Sequence, residues 1–174
     1  MMKLPGLESE RIWITGMPFS GKSSAARKLA SLLHWQRTDT DAQIEKETGM
    51  TVPEIFASPG ELEFRRKEKE LTDMLCTTQH MVISTGGGLP VFYGNMDTML
   101  QNGTVVFLNT SVQIIAERSL EHNDRPLVRS VEETQEARVD FFRKMLFERL
   151  PYYGKAHYTF GSEKALLEWA QTLL

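Results

Sequence analysis

Gly16-Met17-Pro18-Phe19-Ser20-Gly21-Lys22-Ser23 satisfies every fixed position of the phosphate-binding loop pattern G-x-x-x-x-G-K-S/T. In that pattern a glycine lets the backbone turn tightly, so that successive N–H groups and the start of the next helix surround a polyphosphate. The lysine reaches the β- and γ-phosphates, and the final hydroxyl is offered to Mg²⁺, which bridges the phosphates. Gly16, Ser20, Gly21, Lys22, Ser23 and Ser24 are therefore candidate contacts for a nucleoside triphosphate, with Lys22 the catalytic candidate and Ser23 the metal ligand. The flanks agree. Residues 11–15 read as a short buried strand, and residues 24–33 as a helix with Ala26, Leu29, Ala30 and Leu33 on one face. Phe19 takes a variable position often held by a small residue, so its ring is expected to point away from the phosphates.

Outward from the loop, strands and helices alternate. Residues 81–84 and 104–108 read as buried strands, and residues 157–160 fit a last one. Helices are predicted over 61–78, around 95–101, over 111–120, from about 131 to 150 ending at Pro151, and after Ser162. The 61–78 helix is expected to turn Phe64, Leu71 and Leu75 inward and most of 65–70 outward. This alternation predicts an α/β domain on a parallel sheet. Residues 121–130 are polar and broken by Pro126, a candidate mobile loop.

At 174 residues the chain suits one compact domain, in which any substrate region is an insertion. A net charge of −3 excludes the basic footprint of a non-specific nucleic-acid binder. The single Cys76 excludes an intrachain disulfide, and no signal-like or membrane-length apolar run is visible, so a cytoplasmic protein without membrane association is expected. His34, His80, His122 and His157 are scattered without metal-ligand spacing and read as structural or solvated.

Further chemistry lies past the second predicted strand, at residues 35–38. If the segment stays extended, Asp39 and Asp41 project to the same side at the carboxyl edge of the sheet, one for the Mg²⁺ hydration shell and one for a substrate hydroxyl. The competing reading is a helix cap or turn. Gly86-Gly87-Gly88 closes the strand 81–84 at the same edge, where its bare N–H groups could hold an anion or a polar substrate; a flexible turn is the alternative. Taken singly, Arg65, Arg118, Arg125 and Arg149 read as surface charges; Arg65 has Glu61 as a helix partner.

Taken in order, these pieces resemble shikimate kinase: Gly16 to Ser23, Asp39-Thr40-Asp41, Gly60 to Arg66, Ser84 to Gly88, Arg118 with Arg125-Pro126-Leu127, and Arg149 to Tyr153. The resemblance implies a three-layer α/β/α phosphate-loop kinase fold, nucleoside monophosphate kinase-like. It has a five-stranded parallel sheet, a substrate-binding insertion at about 40–78 and a lid at about 121–130. It implies shikimate and ATP as substrates, Mg²⁺ as cofactor, and a monomer. Asp41, Arg65, Gly86, Gly87, Gly88 and Arg149 would hold shikimate, the two arginines taking its carboxylate. Asp39 would act on Mg²⁺ through water. Arg118 would stack near adenine, and Arg125 would reach the transferring phosphate from the lid. Catalysis would fall to Lys22, Asp41 and Arg125. The alternatives are another small-metabolite kinase of this fold, such as one acting on gluconate, and a non-catalytic nucleotide-binding module.

Overall fold

The computed structural model describes residues 10–122 and 126–174. Strand β1 (Arg11–Thr15) alternates Ile12 and Ile14 with Trp13, all three fully buried, so both of its faces are covered, as a central parallel strand requires. The described residues form a five-stranded parallel sheet in the order β2-β3-β1-β4-β5. The others are β2 (Gln36–Asp39), β3 (Met81–Ser84), β4 (Thr104–Leu108) and β5 (Tyr158–Phe160).

Helices cover both faces. On one, Ile12, Ile14, Val82 and Val106 pack against Ala25, Ala26 and Leu29 of α1 (Lys22–Leu33) and Leu166 and Ala170 of α8 (Glu163–Gln171). On the other, Trp13, Ile83 and Val105 meet Ile44 of α2 (Thr40–Thr48), Ile55 of α3 (Val52–Ile55), Phe64, Leu71 and Leu75 of α4 (Glu61–Leu75), and Met96 and Met99 of α5 (Asn95–Asn102). A third cluster joins Met17, Phe107 and Val128 to Ile115 of α6 (Val112–Leu120) and to Phe142 and Tyr153 of α7 (Gln135–Tyr153). Trp169 of α8 closes the far edge against Tyr158 and Phe160, with ring centroids 4.8 and 5.4 Å away.

Three expectations need correction. Helix α1 begins at Lys22 rather than Ser24, with Gly21 as its left-handed cap, so the phosphate loop feeds straight into the helix. Helix α7 begins at Gln135, capped by the Thr134 side chain, and continues through Pro151 to Tyr153. A proline in the last turn forfeits only one ladder bond, which this helix tolerates. The extended conformation stops at Asp39, which ends β2 and caps α2, its carboxylate accepting from the Ala42 N–H at 3.3 Å, while Thr40 and Asp41 are already in the first turn of α2. Within 121–130, Asn123, Asp124 and Arg125 lie outside the described residues. Residues 126–128 form a 3₁₀ turn, and Val128 is fully buried in the third cluster.

Candidate active site

The carboxyl ends of β1, β3 and β2 stand side by side, with Ile14 opposite Ser84 and Ser84 opposite Asp39. In open parallel sheets this edge is where ligands bind. A cavity of about 710 Å³ opens there, floored by residues 18–24 of the phosphate loop and bordered by Asp39, Asp41, Gly86, Gly87 and Arg118. Ser20, Gly21, Lys22, Ser23 and Ser24 all line it. Gly16 instead turns the chain at the exit of β1, where an added Cβ would meet the Leu108 carbonyl at 2.6 Å.

The loop's carbonyls are braced by polar side chains from the loop's end and from neighbouring elements. Lys22 Nζ curls back to donate to the Met17 carbonyl at 2.7 Å, Thr110 Oγ1 donates to the Ser20 carbonyl at 2.8 Å, and Arg118 Nη1 donates to the Phe19 carbonyl at 3.0 Å. Burial pulls Lys22 down from 10.5 to about 8, against the opposing pull of Asp41 and Asp39. Phe19 accepts a left-handed backbone, φ 61°, and its ring packs edge-on to Phe142 and parallel to His122. The ring thus has partners away from the phosphate-facing backbone, although Phe19 and His122 also border the cavity. His122, read from sequence as structural or solvated, therefore stands at the site. His157 is structural, its Nδ1 accepting from the Val105 N–H at 3.0 Å.

Asp39 Oδ2 accepts two hydroxyl bonds, from Ser23 at 2.8 Å and Ser84 at 2.7 Å. Its cap role and its place in the site are compatible, because Oδ1 serves the helix and Oδ2 faces Ser23. Ser23 and Asp39 thus make an all-oxygen pair, the donor chemistry that suits a hard cation retaining most of its waters. Among the described residues no group of three or more His, Cys, Asp or Glu side chains forms a metal cage.

Asp41, in the first turn of α2, is raised to about 6, first by burial and then by Asp39. Its Oδ1 is buried without a hydrogen-bond partner, as are Thr85 Oγ1 and Ser20 Oγ nearby. Buried polar atoms are rarely left so.

The glycine turn has a different role from the one its sequence suggests. Gly86 does not hold a bare N–H, because it donates to Thr40 Oγ1 at 2.8 Å. The three glycines instead make room for four charged side chains. A Cβ at Gly86 would meet Asp41 Oδ1 at 2.4 Å and Glu68 Oε1 at 3.2 Å; at Gly87, Arg149 Nη1 at 2.8 Å; at Gly88, Arg65 Nη1 at 2.6 Å.

Arg65 is not an outward surface residue. It makes the expected pair with Glu61, Nη2 to Oε1 at 3.0 Å, and also donates Nη1 to Glu68 Oε2 at 2.7 Å while lying over the Phe92 ring at 4.2 Å. Glu68, fully buried, is a further site residue absent from the sequence-based expectations. It stands four residues after Phe64 and three before Leu71, inside the apolar stripe of α4, and a carboxylate on such a stripe is the signal that marks it. Burial lifts it to about 7, with Arg65 opposing. Arg149 is no surface charge either; its Nη1 is buried without a hydrogen-bond partner beside Gly87.

A phosphate loop, an oxygen pair for a cation, a lone carboxylate and two guanidiniums behind a glycine turn define a phosphate-loop phosphotransferase of the small-molecule kinase class. The sequence profile of shikimate kinase matches residues 18–174. The chain belongs to the shikimate kinase family of ATP-dependent phosphotransferases. A shikimate kinase of Bacteroides thetaiotaomicron is 33% identical over 160 residues, 91% of this chain and 90% of that protein. The solved shikimate kinase of Acinetobacter baumannii in complex with shikimate has a TM-score of 0.82 at 34% identity, covering 95% of this chain and 90% of that one. A gluconokinase of Sinorhizobium meliloti, at 16% identity and a TM-score of 0.54 over 99% of this chain and 97% of that one, shares the fold. No helix among the described residues is long and apolar enough to cross a membrane.

Proposed function

We propose that this chain transfers the γ-phosphate of ATP to the 3-hydroxyl of shikimate, giving shikimate 3-phosphate and ADP on the route to aromatic amino acids, as a cytoplasmic monomer. The observation that carries the reading is that Lys22, Asp39 and Asp41 line one cavity whose glycine turn is backed by Arg65 and Arg149. Phosphate ligands, a hydroxyl acceptor and a pair of carboxylate forks are what this reaction needs from a protein.

Residues 16–24 receive the polyphosphate on backbone N–H groups, and the Lys22 ammonium turns from Met17 to the β- and γ-phosphates. Ser23 can keep its proton on Asp39 while its oxygen lone pair faces a cation, so Ser23 directly and Asp39 through water would hold Mg²⁺. Bound there, the ion supplies charge neutralisation for the phosphates. Asp41 borders the cavity at the start of α2, which lets its carboxylate accept the hydroxyl hydrogen, orient the oxygen in line, and take the proton as the bond to phosphorus forms. Because phosphoryl transfer has a loose transition state, positioning and charge supply most of the rate. Arg118 stacks near adenine. From the sequence alone Arg125 is assigned the transferring phosphate, in a lid over 121–130, and the insertion 40–78 carries the acid's binding groups.

Arg65 is suited to the shikimate carboxylate by its remaining donors. A guanidinium has five N–H groups. Glu61 takes Nε and one on Nη2, and Glu68 takes one on Nη1, which leaves one on each terminal nitrogen. Those two remain for a planar carboxylate. Arg65→Lys keeps the charge but loses the fork, so shikimate affinity should fall by roughly tenfold or more while ATP affinity stays within about twofold. Calorimetric titration with each ligand checks this; equal losses, or none, would make Arg65 a helix partner only. The companion test is Gly88→Ala, whose methyl would occupy the guanidinium's place. The shikimate KM should rise by about tenfold with the ATP KM little changed, measured by steady-state kinetics. The overall reading is tested by coupled ADP release with ATP·Mg²⁺ against shikimate, quinate, gluconate and nucleoside monophosphates. Turnover on gluconate in place of shikimate would overturn it.

A further inference from the structure

We propose that the Tyr153 hydroxyl is a positioning group for phosphoryl transfer, fixing the separation between the nucleotide's loop and the acceptor's turn. The assignment rests on the phosphotransfer reading above. The two loops leave neighbouring strands, and the last bond between them is Thr85 N–H to the Ile14 carbonyl at 3.0 Å. Beyond that point the ladder has ended, and the chain carrying Lys22 and the chain carrying the three glycines are free of each other's backbone.

Tyr153 bridges them. From the end of α7 its hydroxyl lies 2.6 Å from the Gly87 carbonyl and 3.1 Å from the Gly16 carbonyl, in reach of donating to either. A phenol has one proton, so the bond is shared between the two loops, and the oxygen ties both to one atom. That atom is well fixed. The ring is fully buried, its centroid 4.9 Å from that of Phe107, among Met17 and Phe142. Tyr153 also follows Arg149 by four residues on α7, so the two share a helix face. The guanidinium assigned to the substrate carboxylate therefore stands beside the same hydroxyl. The two loops also pack together at Gly87, since a Cβ there would meet Pro18 Cδ at 3.1 Å and the Gly16 carbonyl at 3.4 Å as well as Arg149.

In-line transfer depends on the distance between a phosphorus set by the first loop and an oxygen set by the second. A misplacement of about 1 Å can cost about a hundredfold in rate without changing how either ligand is bound. Tyr153 touches neither ligand in this reading. Its effect is on the relative placement of two loops that do.

Tyr153→Phe removes the bridging oxygen and keeps the ring in its core. The expected result is a fall in kcat of about tenfold or more with the KM for ATP and for shikimate each within about threefold. Phe107→Leu disturbs the same ring contact without touching the bridge; it serves as the packing control, with melting temperatures taken on both. It should lower stability and leave kcat within about twofold. Wild-type turnover with shikimate tests the phosphotransfer reading by itself, whereas only the ratio of the variants to wild type tests this one. Unchanged kcat in Tyr153→Phe, a loss confined to one KM, or parallel kcat losses in both variants would overturn the proposal. A Tyr153→Phe protein that failed to fold would make the hydroxyl a folding contact and would overturn it too.

Discussion

In Lys22→Ala, turnover is expected to fall by about a thousandfold or more, the scale of losing a preorganised charge at the transferring phosphate, while the protein stays folded. The fold should survive because Lys22 does not hold the core together. Its one direct bond is to the Met17 carbonyl, and burial has already pulled it from 10.5 to about 8. The sign follows from that lowered value. A lysine whose folded pKa lies below its unfolded one opposes folding while it is charged, fully at pH below about 8, and ceases to do so above about 10.5. Removing it relieves that penalty but also strips Asp41 of a favourable neighbour, so the net change in melting temperature near pH 7 should be small. Circular dichroism melts beside the coupled ADP-release assay check both halves. Near-normal turnover in a folded Lys22→Ala protein would sink the phosphate-loop assignment.

Asp41→Asn should separate activity from stability in the opposite direction. Turnover is expected to drop by about a hundredfold to ten-thousandfold, the usual contribution of a positioned proton acceptor. The ligand-free protein should meanwhile melt higher than wild type at pH 7 to 8. Asp41 is raised from 3.8 to about 6, so its charge opposes folding fully above about pH 6, and that cost disappears as pH falls below about 4. The stabilisation in Asp41→Asn should therefore fade at acid pH. The same raised value predicts that wild-type kcat/KM falls on its acid side, below about pH 6. A pH series of melts and rates on the two proteins tests all of this. A variant that melts lower at pH 8 would show Asp41 to be held by contacts rather than exposed to a ligand.

The strands β1, β3 and β4 were legible to the residue because each has a short apolar centre without alternation, the pattern of a strand covered on both faces, bounded by polar residues. Asp39 was harder. An aspartate before a helix and an aspartate at a sheet edge look alike in sequence, and here both readings hold, since one oxygen caps α2 and the other faces Ser23. The inward turn of Arg65 was hidden by Glu61. The helix pair the spacing suggests is present, but it does not exhaust a five-donor group, and the second partner, Glu68, sits on the buried stripe. The triple glycine was read for its N–H groups, which is what glycine most often exposes. Its actual constraint, the room it leaves for Arg65, Arg149, Asp41 and Glu68, depends on α2, α4 and α7 converging on one turn, and no local window contains all three. Helix α7 began late and ran past its proline because Thr134 supplies the cap and the last turn forgives the missing N–H.

The aromatic edge formed by Trp169 with Tyr158 and Phe160 has a spectroscopic consequence. The chain has three tryptophans. Trp13 lies under the sheet, Trp35 stands edge-on to His80, and Trp169 closes the far side; none borders the cavity. Intrinsic emission will therefore follow the opening of the two hydrophobic layers and respond little to a nucleotide or a carboxylic acid entering the cleft. The protein carries a built-in optical gauge of its fold that is insulated from its chemistry. A melt followed at the tryptophans and a calorimetric titration consequently report on separate parts of one molecule.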